Sequence, residues 1–415
     1  MTKEEKLRQT VFDIENLDFD KIKDMESFHR LTQVTGSLDK ALGNNLYGID
    51  HLGVKGIIPE NRDTQGYVFF TRPALNLSTI NLRRHRLFSG LLTQNPNSIH
   101  RYIRCTLDPR LMFGVDSMSI QRLTTGKAAF TQSELNQLTA AKYTQGYPKD
   151  EGPTIGGESK IVSPLVDNQQ AFIPLLTNTI KSMSGWEDVV LPTFTSKEGL
   201  KREQWSIADG SVEIYNSFDV DCSFRNIKEE PLVLMFQTWI FYMAAVFEGL
   251  MNPYIDFIAE NEIDYNTRIY RLVMDESKLI VKKISACGAA YPLNVPTGQF
   301  FDYDDSSKYS SNSRDITIRF KCMGAMYNDD ILIKEFNDVV GIFNPGMRAM
   351  IHGESHEMAR IPHGIVHMFN NRGYPYINPN TLELQWWISK QSPTYKRVKS
   401  YLKEKKTLDL NYDLN

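Results

Sequence analysis

The stretch "RDITIRFKCMGAM", residues 314–326, alternates apolar and polar side chains with a period of two. Four apolar side chains share one face of the implied strand: Ile316, Ile318, Phe320 and Cys322. Polar side chains share the other face: Thr317, Arg319 and Lys321. This period is typical of a β-strand that packs one face against a core and exposes the other to water. The sequence therefore predicts a sheet in this part of the chain.

Segments before this stretch continue the β pattern. Residues 218–224 alternate in the same way, with Phe and Val facing opposite to Asp and Ser. Two further strands are predicted at "IDYNTRIYRLVMD" (263–275) and "LIVKKI" (279–284), and a shorter one around Val212 and Ile214. This central part of the chain is therefore predicted to be mainly β.

One long apolar helix interrupts the strands, in "PLVLMFQTWIFYMAAVFEGLMNP", residues 231–253. Pro231 suits a first helical turn, and Gly249 and Pro253 end the helix. Its uncharged part stops at Glu248, short of the roughly 20 apolar residues that a bilayer helix needs. We therefore expect a buried or interface helix and no membrane association. Five of its side chains are candidates for the core: Phe236, Trp239, Ile240, Met243 and Phe247.

Changes in composition divide the chain into four parts. Residues 1–55 are predicted to be a helical N-terminal arm, and residues 56–150 an additional mixed α/β domain. Residues 151–340 hold the β domain and include a second helix predicted at about 167–183. Residues 341–415 form a C-terminal extension with a basic tail. The predicted fold class is α+β: mainly an antiparallel β-sandwich or barrel-like domain with one central helix, plus mixed α/β additions at both ends.

The composition bounds the kind of protein. The chain has 415 residues, of which 41% are hydrophobic and 11% aromatic, enough for packed cores in two or three folding units. The 47 basic and 50 acidic residues give a net charge of −3, which argues against a protein that coats nucleic acid. Four widely spaced cysteines indicate folding in a reducing cytoplasm, and the N-terminus has no apolar core typical of a signal peptide.

Histidines near the C-terminus are the main candidates for chemistry. In "HGESHEMARIPHGIVH", residues 352–367, two pairs are spaced four residues apart: His352 with His356, and His363 with His367. That spacing suits zinc on one helical face. Pro362 interrupts a helix there, however, and Arg360 stands where the HExxH motif needs its second histidine. We therefore expect no metal, no cofactor and no enzymatic activity.

Other motifs are incomplete. "TTGKAAF", residues 124–130, lacks the upstream glycine and the Ser or Thr of a phosphate loop. The acidic residues at 302–305 lack the spacing and the closing glutamate of a calcium hand. Basic clusters at 83–86 and 396–406 fit solvated faces better than a nucleic-acid site. The chain is interpreted as structural.

Four segments carry a family resemblance. They are the apolar helix with Trp239, the strand at 263–275, "ACGAAYPLNVPTGQFFDYD" (286–304) with its "YP" element, and "SRDITIRFKCMGAMYND" (313–329). Their order resembles the tail tube family of contractile-tailed bacteriophages, including its baseplate tube-initiator relatives. A further segment, "GYVFFTRPALNLS" (66–78), is similar to one in large virion structural proteins of phages. The chain departs from a simple tube subunit by its additions on both sides of this region.

The resemblance implies a subunit that joins copies of itself into a ring, hexameric in that family, with rings stacked into a hollow tube for the genome. Sheets can continue from one subunit to the next around such a ring, which satisfies edge hydrogen bonds. It also implies a place in the virion tail after synthesis in the host cytoplasm, and contacts with other tail tube, sheath or baseplate proteins. Double-stranded DNA would pass transiently and without specificity, since a weakly acidic chain does not hold phosphates.

A polar excursion at 295–313 separates the last two predicted strands. We expect it to contact the ring above or below rather than a substrate. Its candidates for inter-subunit contact are Asp302, Tyr303, Asp304, Asp305 and Tyr309.

Three alternatives stay open. The chain is a neck, terminator or sheath-contacting tail protein in the first. In the second it is a metal-dependent hydrolase that uses His352, His356 and neighbouring glutamates. In the third it is a soluble host-takeover protein with no assembly role.

Overall fold

Strands and short helices alternate along the chain. The structure, a computed structural model, describes residues 64–112, 161–210, 216–275, 277–301, 305, 315–351, 357–369, 373–392 and 394–402. The strands in these residues are β1 (Thr64–Phe70), β2 (Ile180–Ser184), β3 (Thr193–Thr195), β4 (Ser206–Ala208), β5 (Ser217–Arg225), β6 (Ile269–Met274), β7 (Val281–Pro292), β8 (Asp315–Tyr327), β9 (Met358–Ile361), β10 (Tyr374–Ile377) and β11 (Leu384–Ser389).

Seven α-helices of the described residues lie between the strands. They are α1 (Thr79–Leu82), α2 (Ile99–Leu107), α3 (Pro174–Thr179), α4 (Pro231–Phe247), α5 (Ile255–Glu260), α6 (Asp330–Phe343) and α7 (Pro345–Ile351). Short 3-10 helices cover Arg86–Leu92, Pro109–Met112, Gly298–Phe300 and His363–Phe369, and residues 394–402 are helical. Among the described helices, none is both long enough and apolar enough to cross a bilayer.

Six strands form one antiparallel sheet, in the order β1-β6-β7-β8-β5-β2, which curls into a half-barrel. β8 lies in its middle and pairs with β7 on one side and with the whole of β5 on the other. The alternation predicted for β8 is confirmed, because its four apolar side chains on one face are fully buried. The predicted α+β fold class is confirmed as well.

One face of this sheet is covered along its length by α4 and the N-terminal helices. α4 is apolar on nearly every side, as a helix enclosed between two layers must be. The Phe236 ring lies 5.8 Å from the Phe224 ring of β5 and 5.8 Å from the Phe320 ring of β8. The Trp239 ring stacks on Phe236, and its Nε1–H donates to the Tyr265 carbonyl at 2.9 Å. These contacts fix α4 across the sheet.

Within the described residues, the opposite face is covered over β1, β6 and β7. There α6 and a three-stranded antiparallel sheet, in the order β10-β11-β9, enclose a second core. Its centre is aromatic: Phe336 of α6 stacks on Phe172 with ring centroids 5.0 Å apart and meets Phe69 of β1 edge-on at 5.2 Å. Over β8, β5 and β2 no described element covers this face, and we call this half the open half of the sheet.

One prediction for secondary structure is corrected. The helix predicted at about 167–183 is wrong, since only α3 is helical there and the following residues form β2, which pairs with β5. Ile180 is β-branched and favours a strand. Pairing with β5 then decides that the residues after α3 are extended and not helical. The C-terminal extension, predicted as a mixed α/β addition, contains the small sheet β10-β11-β9. The strand predicted around Val212 and Ile214 lies outside the described residues.

The candidate core residues of α4 have different environments. Phe236 and Trp239 are fully buried, and Ile240 and Met243 are half-buried. Phe247 is 93% exposed, so its assignment to the core is corrected. It occupies the last turn of α4, and the next three residues, 248–250, are exposed as well.

The predicted domain boundaries stay predictions. All described residues fall within one compact unit, Thr64–Asn415. Within it β1 pairs with β6, so residues 64–70 complete the sheet of the 151–340 segment.

Candidate assembly surface

The open half of the sheet carries a ladder of paired charges. The Arg319 Nε donates to an Asp221 carboxylate oxygen at 2.9 Å, and the Lys321 Nζ lies 2.9 Å from an Asp219 oxygen. A third pair joins Lys181 of β2 to Asp315 at the start of β8, at 2.6 Å. Every carboxylate in this ladder therefore has a cation beside it.

The strand register explains these pairs. Asp219 lies directly opposite Lys321, and Asp221 directly opposite Arg319, so opposite charges meet across β5 and β8. Exposed ion pairs of this kind contribute at most about 1 kcal/mol each to stability. Their main consequence is electrostatic. Because the charges are paired, the open face has little net charge to attract or repel a polyanion.

β2 forms an open edge of the large sheet. It pairs with β5 on one side, and within the described residues no strand pairs with its other side. The opposite edge, β1, is partly covered, because the Ile173 N–H donates to the Phe70 carbonyl at 2.9 Å and Thr71 bridges Phe172. Unpaired backbone groups on an edge strand are a template for pairing with another chain.

A projecting arm, residues 186–210, follows β2. β3 and β4 pair within it as an antiparallel hairpin. Seven of its large apolar side chains are exposed to solvent by 47% or more: Val189, Val190, Leu191, Phe194, Leu200, Trp205 and Ile207. Contiguous exposed apolar surface on a soluble subunit marks an interaction site.

The base of the projecting arm is fixed to the sheet. The Trp186 ring lies 6.0 Å from the Phe218 ring of β5 and 6.1 Å from the Tyr327 ring of β8. The Tyr327 hydroxyl donates to the Glu187 carbonyl. The arm therefore leaves the sheet beside the end of β8 in a defined direction.

A buried polar network connects the N-terminal helices to α4 and α5. The Asp108 carboxylate is fully buried and accepts from the Leu77 N–H at 2.8 Å and the Tyr254 hydroxyl at 2.6 Å. Nearby, the Tyr242 hydroxyl donates to the Asp264 carboxylate. Burial raises the pKa of Asp264 to about 6, although the hydrogen bond from Tyr242 favours the charged form.

Most of the predicted contact residues lie outside the described part of the chain. These are Asp302, Tyr303, Asp304 and Tyr309. Asp305 is described and exposed, and the neighbouring Phe301 is 85% exposed. The role predicted for this excursion stays a prediction.

Most residues of the metal site considered for the C-terminal histidines also lie outside the described residues. His352, Glu354 and His356 lie outside the described residues, as does the side chain of His367. The His363 Nε2 lies 2.9 Å from the Ser277 carbonyl oxygen. Among the side chains that the structure describes, there is no group of three or more histidines, cysteines or carboxylates placed to hold a metal.

The sequence reading missed β2 and the projecting arm. Most of β2 lies within the helix predicted at about 167–183. The arm had a readable signal, the apolar run Val189–Leu191 followed by Phe194, Trp205 and Ile207 in an otherwise polar segment.

An open edge and an exposed apolar hairpin are typical of proteins that assemble with other chains. The chain belongs to the family described as "Putative phage tail tube protein", whose model matches residues 13–405. It is therefore a structural protein of a phage tail.

Three solved structures are similar to parts of the chain. The anti-feeding prophage cap (AFP tube terminating cap) matches with 12% identity and a TM-score of 0.24 over 38% of this chain and 81% of that one. The sheath/tube terminator of the extracellular contractile injection system PVC, in the extended state, matches with 11% identity and a TM-score of 0.22 over 36% and 85%. The PVC sheath-tube complex in the extended state matches with 12% identity and a TM-score of 0.22 over 38% and 82%. No curated protein matches the chain.

Proposed function

We propose that this tail protein is a ring-forming tube subunit, and that its rings stack into the hollow channel through which the genome leaves the particle. One observation carries the proposal: the six-stranded sheet is covered on one face and half open on the other, and it ends in the open edge strand β2. A subunit of this kind completes its sheet when its edge strand pairs with a strand of another copy. Membership of the tail tube family supports the same role.

The open half of the sheet would face the channel. A channel for DNA needs a wet surface that does not bind phosphates, since each cation that neutralises a phosphate adds affinity. Arg319 and Lys321 meet this need, because their charges are already neutralised by Asp221 and Asp219 at 2.9 Å. Double-stranded DNA would then pass without being held.

The two edges of the sheet would join neighbouring subunits. β2 of one copy would pair with the uncovered part of β1 in the next, a head-to-tail contact that closes into a ring when the rotation between copies allows it. We place six copies in this ring, as the family resemblance implies. Sheath, baseplate or other tube proteins would bind the outside of the tube.

The excursion at 295–313 would reach the next ring. Its candidate contacts, including Asp305, follow the 3-10 turn Gly298–Phe300, which ends in the exposed Phe301. In this arrangement the protein has no catalytic task.

Electron microscopy of the purified protein, combined with edge variants, tests the proposal. We expect rings or hollow tubes of uniform diameter. Neighbouring N–H groups of a strand point to opposite edges, so one of the variants Ser182→Pro and Met183→Pro removes an outward donor from β2. That variant should fold and stay monomeric. A wild-type protein that remains monomeric at high concentration, with or without a nucleating tail partner, would contradict the proposal.

A further inference from the structure

A second exposed apolar surface lies on the covered side of the sheet, where α4 ends. We name it the α4–α5 patch. Its members are exposed by 39% to 93%: Phe247, Leu250, Ile255, Ile258 and Ile263. It is an apolar surface of the kind that a soluble protein keeps small unless something covers it.

The tip of the arm differs in charge from the border of the patch, although the arm as a whole carries five acidic and three basic side chains. Three exposed glutamates border the patch: Glu248, Glu260 and Glu262. The tip of the arm, residues 197–203, carries three exposed basic side chains, Lys197, Lys201 and Arg202, and two acidic ones. The basic side chains at the tip of the arm are therefore complementary to the glutamates at the border of the patch, and both surfaces are apolar elsewhere.

The two surfaces leave the sheet in different directions. β2 runs into the arm towards the C-terminal end of β8, because Ser182 lies opposite Ser223 and Ser184 opposite Asp221. The chain from the patch enters β6 from the other end of the sheet, because Thr267 pairs with Ala290 and the following Tyr270 with Ala286. Contact between them is therefore natural between copies arranged head to tail.

The hairpin of the arm also needs a partner on physical grounds. A lone two-stranded hairpin is marginally stable in water. Its β3 and β4 residues are all exposed, so its own subunit gives it little packing. Docking on a second surface would bury Phe194, Trp205 and Ile207 together.

We infer that the projecting arm of one subunit docks onto the α4–α5 patch of a second copy, with Lys201 and Arg202 beside Glu260 and Glu262. This inference rests on the proposed function and names the surfaces that join copies in addition to the sheet edges. Because the arm and the patch are different surfaces, the contact is head to tail and can repeat from copy to copy.

Cross-linking of the full-length protein tests the contact. Two single variants, Trp205→Cys and Ile258→Cys, are mixed and treated with a short bismaleimide, which couples one thiol to another. The four native cysteines are buried, which keeps the background low. We expect a cross-linked dimer in the mixture at least tenfold above either variant alone. In the matched control Glu357→Cys replaces Ile258→Cys at an exposed position away from the patch.

Charge reversal gives a second readout that does not depend on cysteine geometry. Lys201→Glu with Arg202→Glu should raise the concentration needed for assembly about tenfold, and Glu260→Lys with Glu262→Lys in the same chain should restore it, because the pairs are then reversed.

Three results would overturn the inference: cross-linking no stronger than in the Glu357→Cys control, equal cross-linking of Trp205→Cys with itself, or no rescue by the double reversal. If wild-type rings form while any of these holds, the inference fails and the proposed function stands. If wild-type protein forms no rings at all, the proposed function fails first.

Discussion

Arg319 of β8 and Asp221 of β5 lie directly opposite each other, and the guanidinium Nε donates to the carboxylate at 2.9 Å. With Lys321 and Asp219 beside them, they make an exposed sheet surface on which each charge is neutralised by its cross-strand neighbour. A surface with balanced charge is what a conduit for a polyanion requires.

Replacing the two acids should convert the open face into a DNA-binding one. In Asp219→Lys with Asp221→Lys, four lysine or arginine side chains share β5 and β8 without counterions. We expect DNA affinity to rise at least tenfold at low salt and to fall steeply as salt increases. Filter binding across a salt series measures this. The control Asp338→Lys with Glu357→Lys makes the same charge change on exposed positions elsewhere. Equal DNA binding by both double variants would argue against a special role for the open face.

Two phenylalanines of α4 should differ sharply in their effect on stability. Phe236→Ala empties a fully buried site between the sheet and the helix, and we expect it to lower the free energy of unfolding by about 3–5 kcal/mol. Phe247→Ala, at a 93% exposed position on the same helix, should change it by less than about 0.5 kcal/mol. Urea denaturation of both variants measures the difference. Similar losses would mean that the burial of α4 is not as described.

Subunit stability should depend on pH through Asp264. Its folded pKa, about 6, lies above the ordinary value near 4, so the folded state holds this proton more tightly than the unfolded state. The stabilisation is complete below about pH 4 and is lost as the pH rises to about 6. The loss amounts to about 3 kcal/mol, from roughly two pKa units at 1.36 kcal/mol each. Denaturation at pH 4.5 and 7.5 should show wild type losing stability relative to Asp264→Asn. An unchanged difference between the two proteins would refute a raised pKa.

The excursion at 295–313 should serve assembly and not folding. Deleting residues 304–312 should leave a soluble, folded subunit that forms rings but no stacked tubes. Circular dichroism checks the fold, and electron microscopy checks the assemblies. Tubes of normal length from this deletion would show that the excursion does not join rings.

The central strands could be predicted from the sequence because their apolar and polar side chains alternate, and the apolar ones are those that become buried. In β8 every second side chain from Ile316 to Cys322 is apolar and buried, so the pattern and the structure agree over these residues. α4 was predictable for a related reason: Pro231 at its start and an apolar run long enough for a buried helix.

β2 could not be predicted because its conformation depends on a distant partner. Nothing in the short sequence of Ile180–Ser184 alternates clearly, and pairing with β5 decides its state. Phe247 was wrongly predicted to be buried for a similar reason, since helical spacing cannot show at which residue the burial of a helix ends. The open face was readable as the polar side of two strands, but its charge pairs depend on register, which the sequence alone does not reveal.

A cryo-EM map of the assembled protein would locate β2 and the open face relative to the channel. If the protein is a tube subunit as proposed, β2 will be hydrogen-bonded to a strand of the neighbouring copy, and Arg319 and Lys321 will line a central hole. A particle in which β2 is unpaired, or in which these two side chains lie on the outer wall, would contradict it.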